Sequence, residues 1–301
     1  MKILFVLSAL ILALAGCRTT ALPPNQAQQI RQAHVNGVDL PYIQDGQGIP
    51  VVFVHGSMSD YRIWEAERPA VAARYRTIAY TQRYFGNTPW RDDGRNFNQA
   101  THAADLIAFI QSLGAGPVHV VAWSYGGSVA TLAASQHPEL FRSLSLHEPT
   151  IGSLIVNSAE GKAAASDFGK EIAKFRQVAN SGDTQSATSQ FWEFVVRLPV
   201  GGLDREPLPL RQIVLDNART VPLSLNAPPQ PISCDMVRAI KAPILITVGA
   251  QTRELWTLAA KAMATCAPHG ELVTIANSNH DAIVRQPAAF SQVLLKFLEE
   301  H

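Results

Sequence analysis

The sequence predicts an α/β fold: a mostly parallel central sheet of about eight strands flanked by helices, with a helical cap inserted after strand six. Three observations carry this. Short apolar, β-branched runs without polar alternation recur along the chain, as strands buried on both faces require. Helix-patterned segments separate them, and a helix is the usual way to join parallel strands. From 150 to 235 the alternation stops, and helical patterns follow one another without a strand between them.

Taken in order, His34 to Ile43 alternates enough for two edge strands joined at Asn36-Gly37. After the Asp45-Gly46-Gln47-Gly48 turn comes Pro50-Val51-Val52-Phe53-Val54, a buried-strand run. Tyr75 to Thr81, Val118 to Trp123, Ser143 to His147, Pro243 to Val248 and Glu271 to Ala276 complete the set. Helical patterns cover Asn98–Leu113, Ser128–His137, Glu254–Cys266 and Pro287–His301. Within 150–235, Glu160–Asn180, Thr184–Leu198 and Glu206–Val221 read as helices, before the proline-rich loop Asn226 to Pro231. The expected division is a core over 33–149 and 236–301 and a cap over 150–235. Phe168, Ile172, Phe175, Phe191, Trp192 and Phe194 read as the cap's own core, with some reaching the pocket mouth.

The stretch that points to chemistry is Val118 to Gly127, a buried strand that turns at Ser124 into a helix. A serine between strand and helix, with small residues two positions either side, is the nucleophile-elbow pattern. Bulky side chains there would collide with the neighbouring strand and helix. Ala122 stands where glycine is usual, and Gly126 and Gly127 let the helix start close to the sheet. The helix N-terminus aims free N–H groups at charge developing near Ser124.

Together these features resemble the α/β-hydrolase fold family, over roughly Ala33 to His301. The residues that carry the likeness are His55-Gly56, Arg83 with Gly86, the elbow around Ser124, the Gly249-Ala250 turn and His280. The order serine, acid, histidine also matches. The resemblance implies Ser124 as nucleophile and His280, in the loop after the last strand, as its base. It implies an oxyanion hole from the backbone amides of Tyr125 and Ser57, with Met58 the alternative should that loop be offset by one. His55 then has a structural role, ordering the loop.

The acid departs from the family pattern, which commonly has Asp after the seventh strand. Thr252 stands there, in Gly249-Ala250-Gln251-Thr252-Arg253-Glu254. A neutral threonine can orient an imidazole but cannot stabilise an imidazolium by charge. Glu148, ending the sixth strand in Leu146-His147-Glu148-Pro149, is the expected replacement. Some members of the fold, certain haloalkane dehalogenases among them, place the acid at that strand end. Glu254 and Asp281 are the competing carboxylates.

The N-terminus reads as an address. Lys2 precedes an apolar run from Ile3 to Ala15, too short to span a bilayer comfortably, which fits a signal peptide over 1–16. Leu14-Ala15-Gly16-Cys17 resembles the lipobox of bacterial lipoproteins, implying lipid on Cys17. Arg18, rather than Asp, then favours the periplasmic side of the outer membrane over the inner membrane. Residues 17–32 read as a polar tether, with Pro23-Pro24 blocking regular structure. An exported compartment also permits a disulfide between Cys234 and Cys266.

Lys2 is the one charged side chain of residues 1–16, so 24 basic residues balance 24 acidic ones beyond it. That balance argues against a nucleic-acid partner. No Gly-x-Gly-x-x-Gly, phosphate loop or His/Cys cluster is present in the sequence, so neither cofactor nor metal is expected. Serine as nucleophile argues against dehalogenase or epoxide-hydrolase chemistry, which uses Asp in this fold. The leading expectation is a serine hydrolase acting on a small or medium ester, lactone or amide. An acyltransferase or perhydrolase would use the same residues. A lipid-anchored protein that binds a ligand without catalysis is the alternative that Thr252 keeps open. Substrate identity and oligomeric state have no signature in the sequence.

Overall fold

Among residues 29–228 and 230–301, which the computed structural model describes, the apolar runs form one eight-stranded sheet. The expected signal peptide, Cys17 and most of the expected tether lie outside those residues. The strands are β1 (Arg31–Val35), β2 (Val38–Asp45), β3 (Pro50–Val54), β4 (Arg76–Tyr80), β5 (Val118–Trp123), β6 (Phe141–His147), β7 (Ile244–Gly249) and β8 (Gly270–Ile275). Their order is β1-β2-β4-β3-β5-β6-β7-β8. Only β1 against β2 and β2 against β4 run antiparallel; the other neighbours are parallel. Arg31 already pairs with Tyr42, so regular structure starts two residues inside the segment expected to be tether.

The helices are α1 (Arg68–Ala72), α2 (Gln99–Ser112), α3 (Tyr125–Gln136), α4 (Ala159–Asn180), α5 (Thr184–Val195), α6 (Leu208–Asp216), α7 (Val221–Asn226), α8 (Cys234–Ala239), α9 (Glu254–Cys266), α10 (Ala282–Arg285) and α11 (Pro287–Glu300). The sheet separates two apolar cores, and β5 shows why its sequence does not alternate in polarity. Val118, Val120 and Ala122 face one core, with α2, α3 and α9. Val121 and Trp123 face the other, with Trp64, Phe290 and Leu294. Both faces of the strand are dry, so both must be apolar. Each fully buried large side chain contributes about 1.5–3 kcal/mol.

Between β6 and β7 the chain makes α4 to α7. Ser158 starts α4 by accepting from the Gly161 N–H at 2.9 Å, and Asp183 starts α5 by accepting from the Ser186 N–H at 3.0 Å. The single helix expected over Glu206–Val221 is broken. Leu208–Asp216 stops at Asn217, a short 3₁₀ turn covers Ala218–Thr220, and α7 begins at Val221. The cause is tertiary. Asn217 is fully buried, its Nδ2 donates to Asp60 Oδ2 at 2.8 Å, and its Oδ1 accepts from the Gly86 N–H at 2.6 Å. Pro222, at the start of α7, suits a helix beginning rather than a helix interior.

Six strands run parallel and end on one side of the sheet, and five of them, β3, β5, β6, β7 and β8, lead into the site. Their exits carry His55, Ser124, Glu148, Thr252 and His280 towards the same crevice, below α4 and α5. Among the described residues no helix is long and apolar enough to cross a membrane.

Candidate active site

Ser124 follows β5 directly, with φ 52° and ψ −117°, a conformation that non-glycine residues rarely hold. Helix α3 starts at the next residue, three earlier than the apolar pattern indicated, so the turn is a single residue wide. Its tightness explains Gly126: an added Cβ would lie 2.6 Å from the Val54 carbonyl oxygen and closer still to that of His55. The Ser124 N–H donates to the His147 carbonyl at 3.0 Å, extending the β5–β6 ladder one residue beyond the strand. The Ser124 hydroxyl is thereby presented at the crevice floor. It lies 3.4 Å from the hydroxyl of Thr150.

His280 stands over it. Its Nε2 is 2.9 Å from Ser124 Oγ, and its Nδ1 is 2.7 Å from Glu148 Oε2. Glu148 is fully buried and His280 is 2% exposed. The carboxylate accepts two further hydrogen bonds at 2.8 Å, from the Gly249 N–H to Oε1 and from the Thr252 hydroxyl to Oε2. Burial alone would raise the Glu148 pKa. The His280 hydrogen bond, the positive potential of His147 and His280, and the Gly249 amide outweigh it and leave the group below its ordinary value. An ionised carboxylate only accepts, so Nδ1 carries the proton and Nε2 is left as the acceptor for the serine hydroxyl.

The competing carboxylates lie elsewhere. Asp281 turns to Arg285, with Oδ2 3.0 Å from Nε, and Glu254 opens α9. Gly249 lets the two loops meet, since a Cβ there would sit 2.7 Å from the Asn279 backbone. The Trp123 indole N–H donates to the His280 carbonyl at 2.8 Å.

On the opposite side, His55 holds the loop that carries Ser57. Its Nε2 accepts from the Gln82 N–H at 3.0 Å, and its Nδ1 donates to the Gly56 carbonyl at 2.8 Å. That arrangement uses the neutral tautomer, and burial pushes the His55 pKa down to about 4. The Ser59 hydroxyl reaches the same carbonyl at 3.0 Å. Tyr125 is the first residue of α3, where a backbone N–H has no acceptor within the helix. Its phenol shares a 2.7 Å hydrogen bond with Nδ1 of buried His102. His102 carried no motif in the sequence and is recognisable only in three dimensions.

Ser57, Met58, Ser124, Tyr125 and His280 share the wall of one cavity of about 720 Å³. The cap supplies Phe168, Ile172, Phe191 and Trp192 to that wall, so four of the six side chains expected to form the cap's core face the crevice. Phe175 and Phe194 stay behind them and pack on each other, with ring centroids 5.4 Å apart. Cys234 and Cys266 form a disulfide, with Cα atoms 5.2 Å apart, joining α8 to the end of α9. Among the described residues no group of three or more His, Cys, Asp or Glu side chains could hold a metal ion.

Comparison with known proteins agrees with this architecture. Residues 51–293 match the alpha/beta hydrolase family. The Mycobacterium tuberculosis protein BpoC, described as a candidate non-heme bromoperoxidase, is 27% identical over 273 residues, covering 86% of this chain and 97% of its own. A thermophilic esterase from Thermogutta terrifontis superposes with a TM-score of 0.71 at 22% identity, covering 90% of this chain and 98% of the esterase. The esterase EaEST from Exiguobacterium antarcticum gives 0.73 at 19% identity, covering 90% and 99%. With its sheet, its elbow and a family match across most of its length, the chain belongs to the α/β hydrolase family.

Proposed function

We propose that this protein is a serine hydrolase that cleaves a small or medium carboxylic ester, lactone or amide through an acyl-enzyme on Ser124. The observation that carries the reading is the unbroken relay from Ser124 Oγ through His280 to Glu148, with links of 2.9 and 2.7 Å. Oγ attacks the acyl carbonyl as Nε2 takes its proton, since a free hydroxyl is a weak nucleophile at neutral pH. Glu148 holds the Nδ1 proton in place and stabilises the imidazolium. The amides of Tyr125 and Ser57 receive the charge that develops on the carbonyl oxygen. The imidazolium then protonates the leaving alcohol or amine. Water, deprotonated by the same base, releases the acid and restores the serine.

A cavity of about 720 Å³ with an aromatic wall suits an acyl group of modest size, within the usual range of roughly 300–1,000 Å³ for ligand sites. The test is a chain-length series of nitrophenyl esters on the purified protein, with Ser124→Ala as control. Hydrolysis by the wild type that is lost in the variant supports the reading, and equal rates in both defeat it. The likeness to BpoC favours one second reading, acyl transfer to peroxide or alcohol from the same acyl-enzyme. Product ratios with those acceptors present separate it from hydrolysis. What favours catalysis over the non-catalytic reading is that the Thr252 hydroxyl donates to a carboxylate instead of standing in for one.

We further propose export and lipid anchoring on Cys17, at the periplasmic face of the outer membrane. Leu14-Ala15-Gly16-Cys17 supports it, and so does a disulfide that needs an oxidising compartment.

A further inference from the structure

The relay fixes the two nitrogens of His280 and leaves the faces of its ring to other groups. One face is covered by Trp256, in the first turn of α9, on the segment that also carries Thr252. The indole and imidazole rings stack with centroids 3.9 Å apart and planes 22° apart. Trp256 is 3% exposed and is pinned edge-on by Phe168 of the cap, 5.4 Å away. Its indole N–H has no hydrogen-bond partner among the described residues, so what it gives His280 comes through the ring face. Trp123 is placed differently. Its ring lies 5.5 Å from the imidazole at 44°, and its N–H holds the histidine backbone.

We infer that Trp256 is a positioning residue for the reaction proposed above, holding the plane of His280 and stabilising its imidazolium form. A neutral imidazole gains dispersion from the stack. A protonated one gains in addition the attraction between a cation and the negative face of an indole, which grows where water is excluded. Because the proton resides on the ring only once Ser124 has been deprotonated, that extra attraction belongs to the transition state and the intermediate rather than to the resting enzyme. The other titratable groups that face His280 are untouched by a change at Trp256. His147 faces it from the last residue of β6 and Glu148 from the position just after. Asp281 faces it from its own loop, bound by Arg285 of α10. The inference rests on His280 being the base, and its test is arranged to stand apart from that premise.

The experiment compares Trp256→Leu and Trp256→Phe in the full chain by NMR titration of the His280 ring protons and by pH profiles of kcat and KM. Losing a stabiliser of the cation lowers the pH at which the ring titrates. Trp256→Leu should move the midpoint down by about half to one pH unit, within the span between exposed and desolvated cation–π contacts. The acid limb of kcat/KM should move with it, and kcat should fall roughly threefold to tenfold. Trp256→Phe, which keeps a weaker π face, should fall between. Phe191→Leu changes the cavity wall without touching His280, and it should alter KM while leaving the titration in place. An unmoved midpoint in a folded Trp256→Leu, whatever its kcat, overturns the inference and leaves the tryptophan as packing. A wild type without esterase activity would count against the proposed function, while the titration would still decide this point.

Discussion

Replacing Glu148 by Gln changes one atom of the relay and leaves its volume alone. Gln has one carbonyl oxygen for three donors: the Gly249 N–H on Oε1, and the Thr252 hydroxyl and His280 Nδ1 on Oε2. The Gly249 amide cannot rotate, so the oxygen stays with it and the NH₂ faces the other two. The threonine hydroxyl can turn to accept. The imidazole can accept only by moving its proton to Nε2, and then it points a donor at Ser124 and ceases to be a base. The lost charge also leaves any imidazolium uncompensated. An amide in this position of a serine relay lowers kcat by roughly 10⁴-fold, about 5.5 kcal/mol in activation free energy. Stability should change little, because the variant removes a buried charge with its desolvation cost while the Gly249 N–H and the Thr252 hydroxyl each keep a partner. Steady-state kinetics on one activated ester, with thermal unfolding alongside, measures both. A folded Glu148→Gln enzyme within tenfold of wild-type kcat would refute the assignment. Adding Thr252→Asp to that variant returns a carboxylate to the same imidazole and should recover part of the loss.

Thr252→Val alone removes one of the three donors to the carboxylate and should lower kcat by about tenfold, the scale of one hydrogen bond to a charged group; an unchanged kcat would mean the hydroxyl is idle. Stability should peak near pH 6.5. Burial pushes His55, His119 and His147 down to about 4 and His102 to about 3, from an ordinary 6.5, so the unfolded chain takes up four protons first as pH falls. Buried Glu67, raised to about 8 from 4.5, acts in the opposite sense, and the net of three protons gives a loss of up to about 4 kcal/mol per pH unit between 6.5 and 4.5. Above 6.5 the Glu67 effect alone remains and stability declines gently towards pH 8. Urea unfolding at pH 5, 6.5 and 8 checks this, and a flat profile contradicts it. Mass spectrometry of the protein from its native membrane fraction should find diacylated Cys17, whereas a soluble, unmodified chain rules the anchor out.

Much of this was legible in the chain. β3, β5 and α9 have the bounds that apolar periodicity and turn residues assign. Ser124, Glu148 and His280 meet in the arrangement expected of them. The departures share a cause, namely contacts between residues far apart in sequence. The helix pattern across Glu206–Val221 is continuous as a pattern, and it breaks because Asn217 is drawn to Asp60 and Gly86. Phe168 and Trp192 look the same on paper whether they fill the cap or line the crevice. Trp256 has no local motif, because only the folded sheet brings α9 over the base.

Two of the strained residues at the site show how a carboxylate at the end of β6 reaches His280, where the family pattern commonly has Asp after the seventh strand. Ser124 has φ 52° and Glu148 has φ 43°, and each such non-glycine backbone costs on the order of 1–3 kcal/mol unless its surroundings impose it. Here the ladder imposes it. Ser124 N–H donates to His147 O, and Glu148 N–H donates to Thr247 O, both at 3.0 Å. Each amide is thus held in sheet register while the rest of the residue turns out of the strand. Because β5, β6 and β7 are successive neighbours, the two turns occur side by side and aim both side chains into one crevice. Glutamate spans the remaining distance to His280 and still takes the Gly249 amide, which anchors it to β7. Glycine at 124 or 148 would relieve the strain and remove the groups that the proposed reaction uses, while the continued ladder sustains the strained turns.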